Sequence, residues 1–176
     1  MDLRTEILLE HSKKQATKIA DWIGNDEKRF AHLLKLFLKD EYRVVQRAAW
    51  IVNLVADRHP CLLLPDLAAI VKRMDEDDLP TAVKRNVVRL LQHVAIPKKL
   101  HGLVMNVCFQ FLSDPKETIA VRCFSMTVLA NLSKDYPEIK GELKTVIEEV
   151  LKQKASAGVR ARATRYLTPG PSPAEL

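Results

Sequence analysis

The sequence predicts an all-α chain, an α-α superhelix of about four to five two-helix repeats, and three observations predict it. Apolar residues recur at i, i+3, i+4 and i+7, and no segment sustains the period-two alternation of a half-buried strand. Segments beginning at Val45, Val83, Val121 and Val159 are spaced 38 residues apart without an insertion, each with a small or apolar residue four positions on: Ala49, Val87, Ser125 and Ala163. A second set keeps the same offset, with Leu67, Met105 and Leu143 aligned, then Ile70, Cys108 and Val146, then Met74, Leu112 and Val150. Each repeat therefore holds two helices.

Residues 1–40 follow the pattern loosely. Ala16, Ile19, Ala20 and Ile23 outline a shortened first helix, and Phe30, Leu33, Leu34 and Phe37 a second. This is a degenerate N-terminal repeat, as expected where one face lacks a neighbour. Helices follow at about 41–57 and 61–74 in a repeat near 41–78, at about 80–94 and 97–113 in 79–115, and at about 116–134 and 137–153 in 116–154. A last helix at about 156–167 forms a half repeat over 155–167. Asp78-Leu79-Pro80 and Asp114-Pro115 place a capping acid and a helix-starting proline between repeats, and Pro60, Pro97 and Pro137 mark the turns inside them. One domain over 1–167 results, followed by a Pro-rich tail at 168–176 that predicts a flexible extension.

Val-Arg followed by a small residue and then Leu, as in Val121-Arg122, Ser125 and Leu129 or Val159-Arg160, Ala163 and Leu167, resembles the first helix of a HEAT repeat. The Asp114-Pro115 junction fits the same family, and the resemblance runs from about residue 41 to 167. Departures are specific: Gln46 and Lys84 stand where Arg122 and Arg160 do, Asn86 replaces a small residue, and Asn53 replaces the recurring Leu91, Leu129 and Leu167. The resemblance implies a curved stack whose concave side is lined by second helices, and a binding or scaffold role.

In the second helix at 97–113, Val104, Val107, Cys108 and Phe111 form one apolar face and Met105, Cys108, Phe109 and Leu112 another, which places Phe109 in the core. Asn106, Gln110 and Ser113 remain as a polar stripe. The repeat offset carries it to Ala68 and Lys72 before and to Lys144 and Glu148 after. Lys72, Asn106, Gln110, Lys144 and Glu148 are the expected protein- or peptide-binding surface; an ordinary solvated ridge is the plain alternative.

The net charge of +6 is concentrated in residues 79–116, which hold six basic residues and one acid. Lys84, Arg85, Arg89, Lys98 and Lys99 offer a second function, a stripe that follows a nucleic-acid backbone through its phosphates. Lys84, Arg122 and Arg160 share one repeat position, where pairing with acids between repeats is the simpler reading. A HEAT-like enzyme acting on DNA is the third, but the catalytic acid and aromatics of that glycosylase family have no match here.

Other chemistry is not expected. HExxH, GxGxxG, GxxxxGK[ST] and GxSxG signatures are missing, so the reading is a non-catalytic protein without cofactor. Asp75-Glu76-Asp77-Asp78 reads as a solvated, capping turn rather than a metal site. Cys61, Cys108 and Cys123 form no CxxC pair and read as buried, reduced thiols, which with the acidic start suits the cytoplasm. No apolar run approaches the ~20 residues of a membrane span. Trp22 and Trp50 fit helical packing or a groove better than stacking on a base or peptide.

Overall fold

The computed structural model describes residues 1–74, 76, 79–153 and 155–167, and among these it is helical with no strand. The helices are α1 (Leu3–Leu9), α2 (Lys13–Ile23), α3 (Glu27–Lys39), α4 (Tyr42–Arg58), α5 (Leu67–Arg73), α6 (Thr81–Leu91), α7 (Lys98–Ser113), α8 (Ile119–Leu132), α9 (Ile139–Lys152) and α10 (Ala157–Leu167), with a 3-10 turn at Pro60–Leu63. The chain gathers into two compact units, Met1–Ala95 and Ile96–Leu176. Their boundary falls between the two helices of the repeat near 79–115. The expected tail and, apart from Glu76, the acidic run at 75–78 lie outside the described residues.

In the first unit, short polar side chains open the helices by accepting orphan backbone N–H groups: Asp2 from Thr5, Ser12 from Gln15, and Asp26 from Arg29. Gly24, at φ 52°, ends α2 in a conformation that an L side chain resists. Helix α4 is the centre of this unit. It packs against α2 and α6, its counterparts in the neighbouring repeats, and against α3. Ile19, Ile23, Phe30, Phe37, Val44 and Val52 are buried in that core.

Helix α1 was not legible in the sequence. Of its four apolar residues only Leu3 and Ile7 are buried. Seven residues are too few to hold a helix by propensity alone, and tertiary bonds supply the rest. Arg4 pairs with Asp40 at 3.1 Å and Glu41 at 3.1 Å, and Lys18 with Glu6 at 3.0 Å. Arg47 Nη1 donates to the carbonyls of Ile7 and Leu8, closing the helix's C-terminal end.

The single helix expected at 61–74 is broken. Pro65 has no N–H to donate and its ring obstructs the preceding turn, so the chain makes 3-10 turns as far as Leu64 and starts α5 at Leu67. The same break turns Cys61 outward, where a buried thiol was expected.

In the second unit, α7 packs against α8 and α9, and α10 docks on α8 and α9. Val104, Val107, Cys108 and Leu112 of α7 are buried, and Asn106, Gln110 and Ser113 are exposed, as the sequence predicts. Phe109 is only half-buried, contrary to its expected core position, whereas Phe111 on the other apolar face is buried. The wide apolar arc of α7 is thus narrower than its pattern suggests. His101 is buried, with Nε2 2.7 Å from the Ile96 carbonyl and Nδ1 3.1 Å from the Tyr136 hydroxyl. A carbonyl can only accept, so Nε2 carries a proton and donates it to Ile96. On α10, Arg162 and Tyr166 both donate to Thr127 Oγ1 of α8, at 2.7 and 3.0 Å.

Among the described residues, the repeat position shared by Lys84, Arg122 and Arg160 is not paired with acids at the two arginines, which bond to carbonyls instead. Arg122 is buried and donates its Nε–H to the Leu112 carbonyl at 3.0 Å, near the end of α7. Arg160 donates likewise to Ala155 at 2.9 Å. At Arg122 the guanidinium caps a carbonyl that the last turn of α7 leaves unsatisfied; at Arg160 it takes up a carbonyl of the loop that precedes α10.

Candidate functional site

Helices α4 and α6 face each other across an open groove of about 510 Å³ in the first unit, within the ~300–1,000 Å³ typical of ligand sites. Along α4 the wall is Tyr42, Gln46, Trp50, Asn53, Leu54 and Asp57, a stripe at three- and four-residue steps. Thr81, Ala82, Arg85, Asn86 and Arg89 form the facing stripe of α6, and His11 closes one side. Trp50 and Tyr42 are exposed, unusual for large aromatic side chains. The His11 ring meets Trp50 edge-on at 6.1 Å.

The groove has a hydrogen-bonded polar floor. Asn53, 3% exposed, donates through Nδ2 to the Ala49 carbonyl and to Asn86 Oδ1, both at 2.8 Å. Asn86 Nδ2 donates in turn to the Ala82 carbonyl at 2.7 Å. Arg89 donates to Asn53 Oδ1 and, at 3.0 Å, to Asp57. A second hollow, about 430 Å³, lies alongside Pro60, His93 and Val94 and shares Asp57 and Arg89 with the first.

These are the residues at which the repeat pattern fails. Asn53 stands where other repeats carry Leu, and Asn86 where they carry Ala48, Phe124 and Arg162; the structure joins them across the α4–α6 interface. Buried polar groups need partners, so two departures of this kind in adjacent repeats were a usable signal of a site. Sequence reasoning had both residues and did not connect them.

Of the expected binding stripe, Asn106 and Gln110 are exposed on α7, and Lys144 and Glu148 are exposed on α9, which packs against it. Lys144 and Glu148 lie 3.9 Å apart as a surface ion pair. Lys72 is exposed on α5 and belongs to the other unit. The basic set divides too. Lys84, Arg85 and Arg89 are on α6 of the first unit, and Lys98 and Lys99 begin α7 in the second. Lys84 is half-buried and Arg89 is engaged by Asp57, which leaves Arg85 as the exposed cation of α6.

Trp22 packs beneath the Arg29 guanidinium, 4.3 Å from the ring centre, and does not line the groove. Burial pushes the Cys108 thiol up to about 12 and raises Cys123 as well, so neither is a ready nucleophile. Among the described residues no three His, Cys, Asp or Glu side chains gather as metal ligands, and no helix is long and apolar enough to cross a membrane.

No curated protein and no solved structure matches the chain. The family model of the HEAT repeat domain matches residues 3–168, including the N-terminal helices whose pattern is weakest. The insertion-free 38-residue period, the stacked first helices α2, α4 and α6, and this match together place the chain in the HEAT repeat family.

Proposed function

We propose that this HEAT-repeat protein is a non-catalytic, cytoplasmic scaffold that binds a protein or peptide partner. One observation carries the reading. An open groove with exposed Trp50 and Tyr42 sits over a floor whose amides already bond to one another, so it is built without a ligand and still presents aromatic surface to one. Trp, Tyr and Arg are the side chains that most often dominate partner binding, and Arg85 lines the same groove as these two aromatics. The exposed α7–α9 face with Asn106, Gln110, Lys144 and Glu148 is a second surface for the same role.

The test is site-directed photo-crosslinking in cells of the source organism, with a photoreactive side chain at Gln46 in the groove or at Lys144 on α9. The scaffold reading expects a discrete protein adduct from at least one site. Absence of adducts at both, with protein folded and expressed, counts against it. Titration of a labelled duplex and a single strand across a salt series covers the nucleic-acid alternative, because phosphate contacts weaken steeply with salt.

A further inference from the structure

We infer that the α4–α6 groove takes an extended, acidic peptide segment with apolar side chains, and that Arg85 is the residue that selects for its charge. The inference rests on the partner-binding reading above and adds the chemistry of the partner.

Shape comes first. Tyr42 and Asp57, fifteen residues apart on α4, both line the groove, so it runs for ~22 Å at 1.5 Å per residue. An extended chain of ~6 or 7 residues spans that length. A globular ligand would not use an elongated trough of this kind.

Hydrogen-bonding capacity gives the polarity. Both Nδ2 hydrogens of Asn53 are spent on Ala49 and Asn86. Asn86 keeps one N–H beyond its bond to Ala82, and the exposed Gln46 amide and the Arg85 guanidinium make no hydrogen bond among the described residues. Unspent donors outnumber unspent acceptors chiefly because the Arg85 guanidinium offers N–H groups alone, while Arg89 already holds one of the two Asp57 oxygens. An acceptor-rich chain fits: peptide carbonyls along the trough and a carboxylate at Arg85, whose planar fork matches that group.

Charge separates a peptide from a nucleic-acid strand. The groove carries Arg85, Arg89 and Asp57, a net charge of one positive unit, and one of its two cations is already paired. A strand presenting a phosphate at every nucleotide requires a track of cations. One or two carboxylates beside apolar groups require one cation, and Trp50, Tyr42 and Leu54 supply the surface for the apolar side chains.

Fluorescence polarisation tests this on the full chain with two fluorescein-labelled peptides, Gly-Ser-Leu-Glu-Asp-Phe-Leu-Glu-Gly-Ser and its twin with every acid changed to Lys, and a ten-nucleotide oligothymidine. The acidic peptide is expected to bind roughly tenfold or more tightly than its twin. Trp50→Ala and Arg85→Glu each weaken it by a similar factor, and Arg85→Glu reverses the preference between the peptides. Trp22 fluorescence and circular dichroism show that the variants remain folded. Equal binding of the twins, acidic-peptide binding untouched by Trp50→Ala, no binding at millimolar peptide, or tighter binding of the oligonucleotide would each overturn the inference. A protein adduct from Lys144 alongside any of these results leaves the scaffold standing and removes the groove from it. Loss of both removes the scaffold too.

Discussion

Truncating Asn53 is the sharpest probe of the polar floor. Asn53→Ala removes one neutral hydrogen bond between helices, contributing about 1 kcal/mol, and one to a guanidinium, for which about 1.5–3 kcal/mol is usual. Arg89 is one-third exposed and keeps Asp57, so the second figure belongs at its low end. A loss of about 2–3 kcal/mol follows, or roughly 4–12 °C in Tm for a chain of this length. Asn86→Ala is expected to lose about 1–2 kcal/mol. Because both single changes break the same bond, the double variant loses about 1 kcal/mol less than their sum. Asn53→Leu with Asn86→Ala, which strands neither amide, stays within about 1 kcal/mol of the parent. Intrinsic fluorescence under urea suits the measurement, since Trp22 and Trp50 are the two tryptophans of the chain and both lie in the first unit. Strict additivity of the singles, or a cost below ~0.5 kcal/mol for Asn53→Ala, would refute the network.

Four further outcomes are expected. Gly102→Ala and Gly141→Ala place a methyl group where nothing lies within 4 Å, inside helices, so each raises stability by about 0.5–1 kcal/mol in thermal unfolding, whereas Gly24→Ala at φ 52° lowers it by about 1–2 kcal/mol. Phe37→Ala in the fully buried core loses about 3–5 kcal/mol, and the half-buried Phe109→Ala distinctly less, both read from denaturant midpoints. Lys18 and then Gln15 hold the Glu6 carboxyl below its ordinary 4.5, and Arg4 holds Asp40 below 3.8, so their stabilisation is present above those values and fades as pH falls through the lowered ones. The protection of α1 amides against exchange, relative to their intrinsic rates at each pH, therefore falls below about pH 4 before that of α4 does. Alkylation at neutral pH modifies Cys61 first, with Cys108 and Cys123 following only on unfolding, as mass spectrometry of the peptides will show.

Fold and site differ in how plainly the sequence states them. Helices α4, α6, α8 and α10 announce themselves through Val45, Val83, Val121 and Val159, and α7 and α9 through pairs such as Met105 and Leu143, because a fixed 38-residue offset repeats one packing problem and hence one apolar solution. Leu3 and Ile7 carry no such redundancy; α1 owes its place to Arg4 and Arg47, whose partners are 36 to 40 residues away. Pro65 was visible, yet its effect depended on where helix hydrogen bonds would have run. Trp50 shows why a site is harder to read than a fold. Its helical spacing fits packing, and its exposure depends on the small or polar residues Ala82, Arg85 and Asn86 standing opposite on α6. The basic stripe is hard to read for a related reason: composition counts Arg89 as a free cation, and only the geometry shows Asp57 against it.

The Asn53–Asn86 bond also bears on how a repeating chain finds its own order. Insertion-free repeats offer nearly interchangeable docking faces, so a first helix can settle against the wrong neighbour during folding. On α8 the counterpart of Asn86 is Phe124, so Asn53 misplaced there would meet an aromatic ring and lose its amide partner, at about 1–3 kcal/mol. The two asparagines thus act as an address, readable between α4 and α6 and illegible elsewhere. A groove and a correct sequence of assembly come from the same pair of side chains.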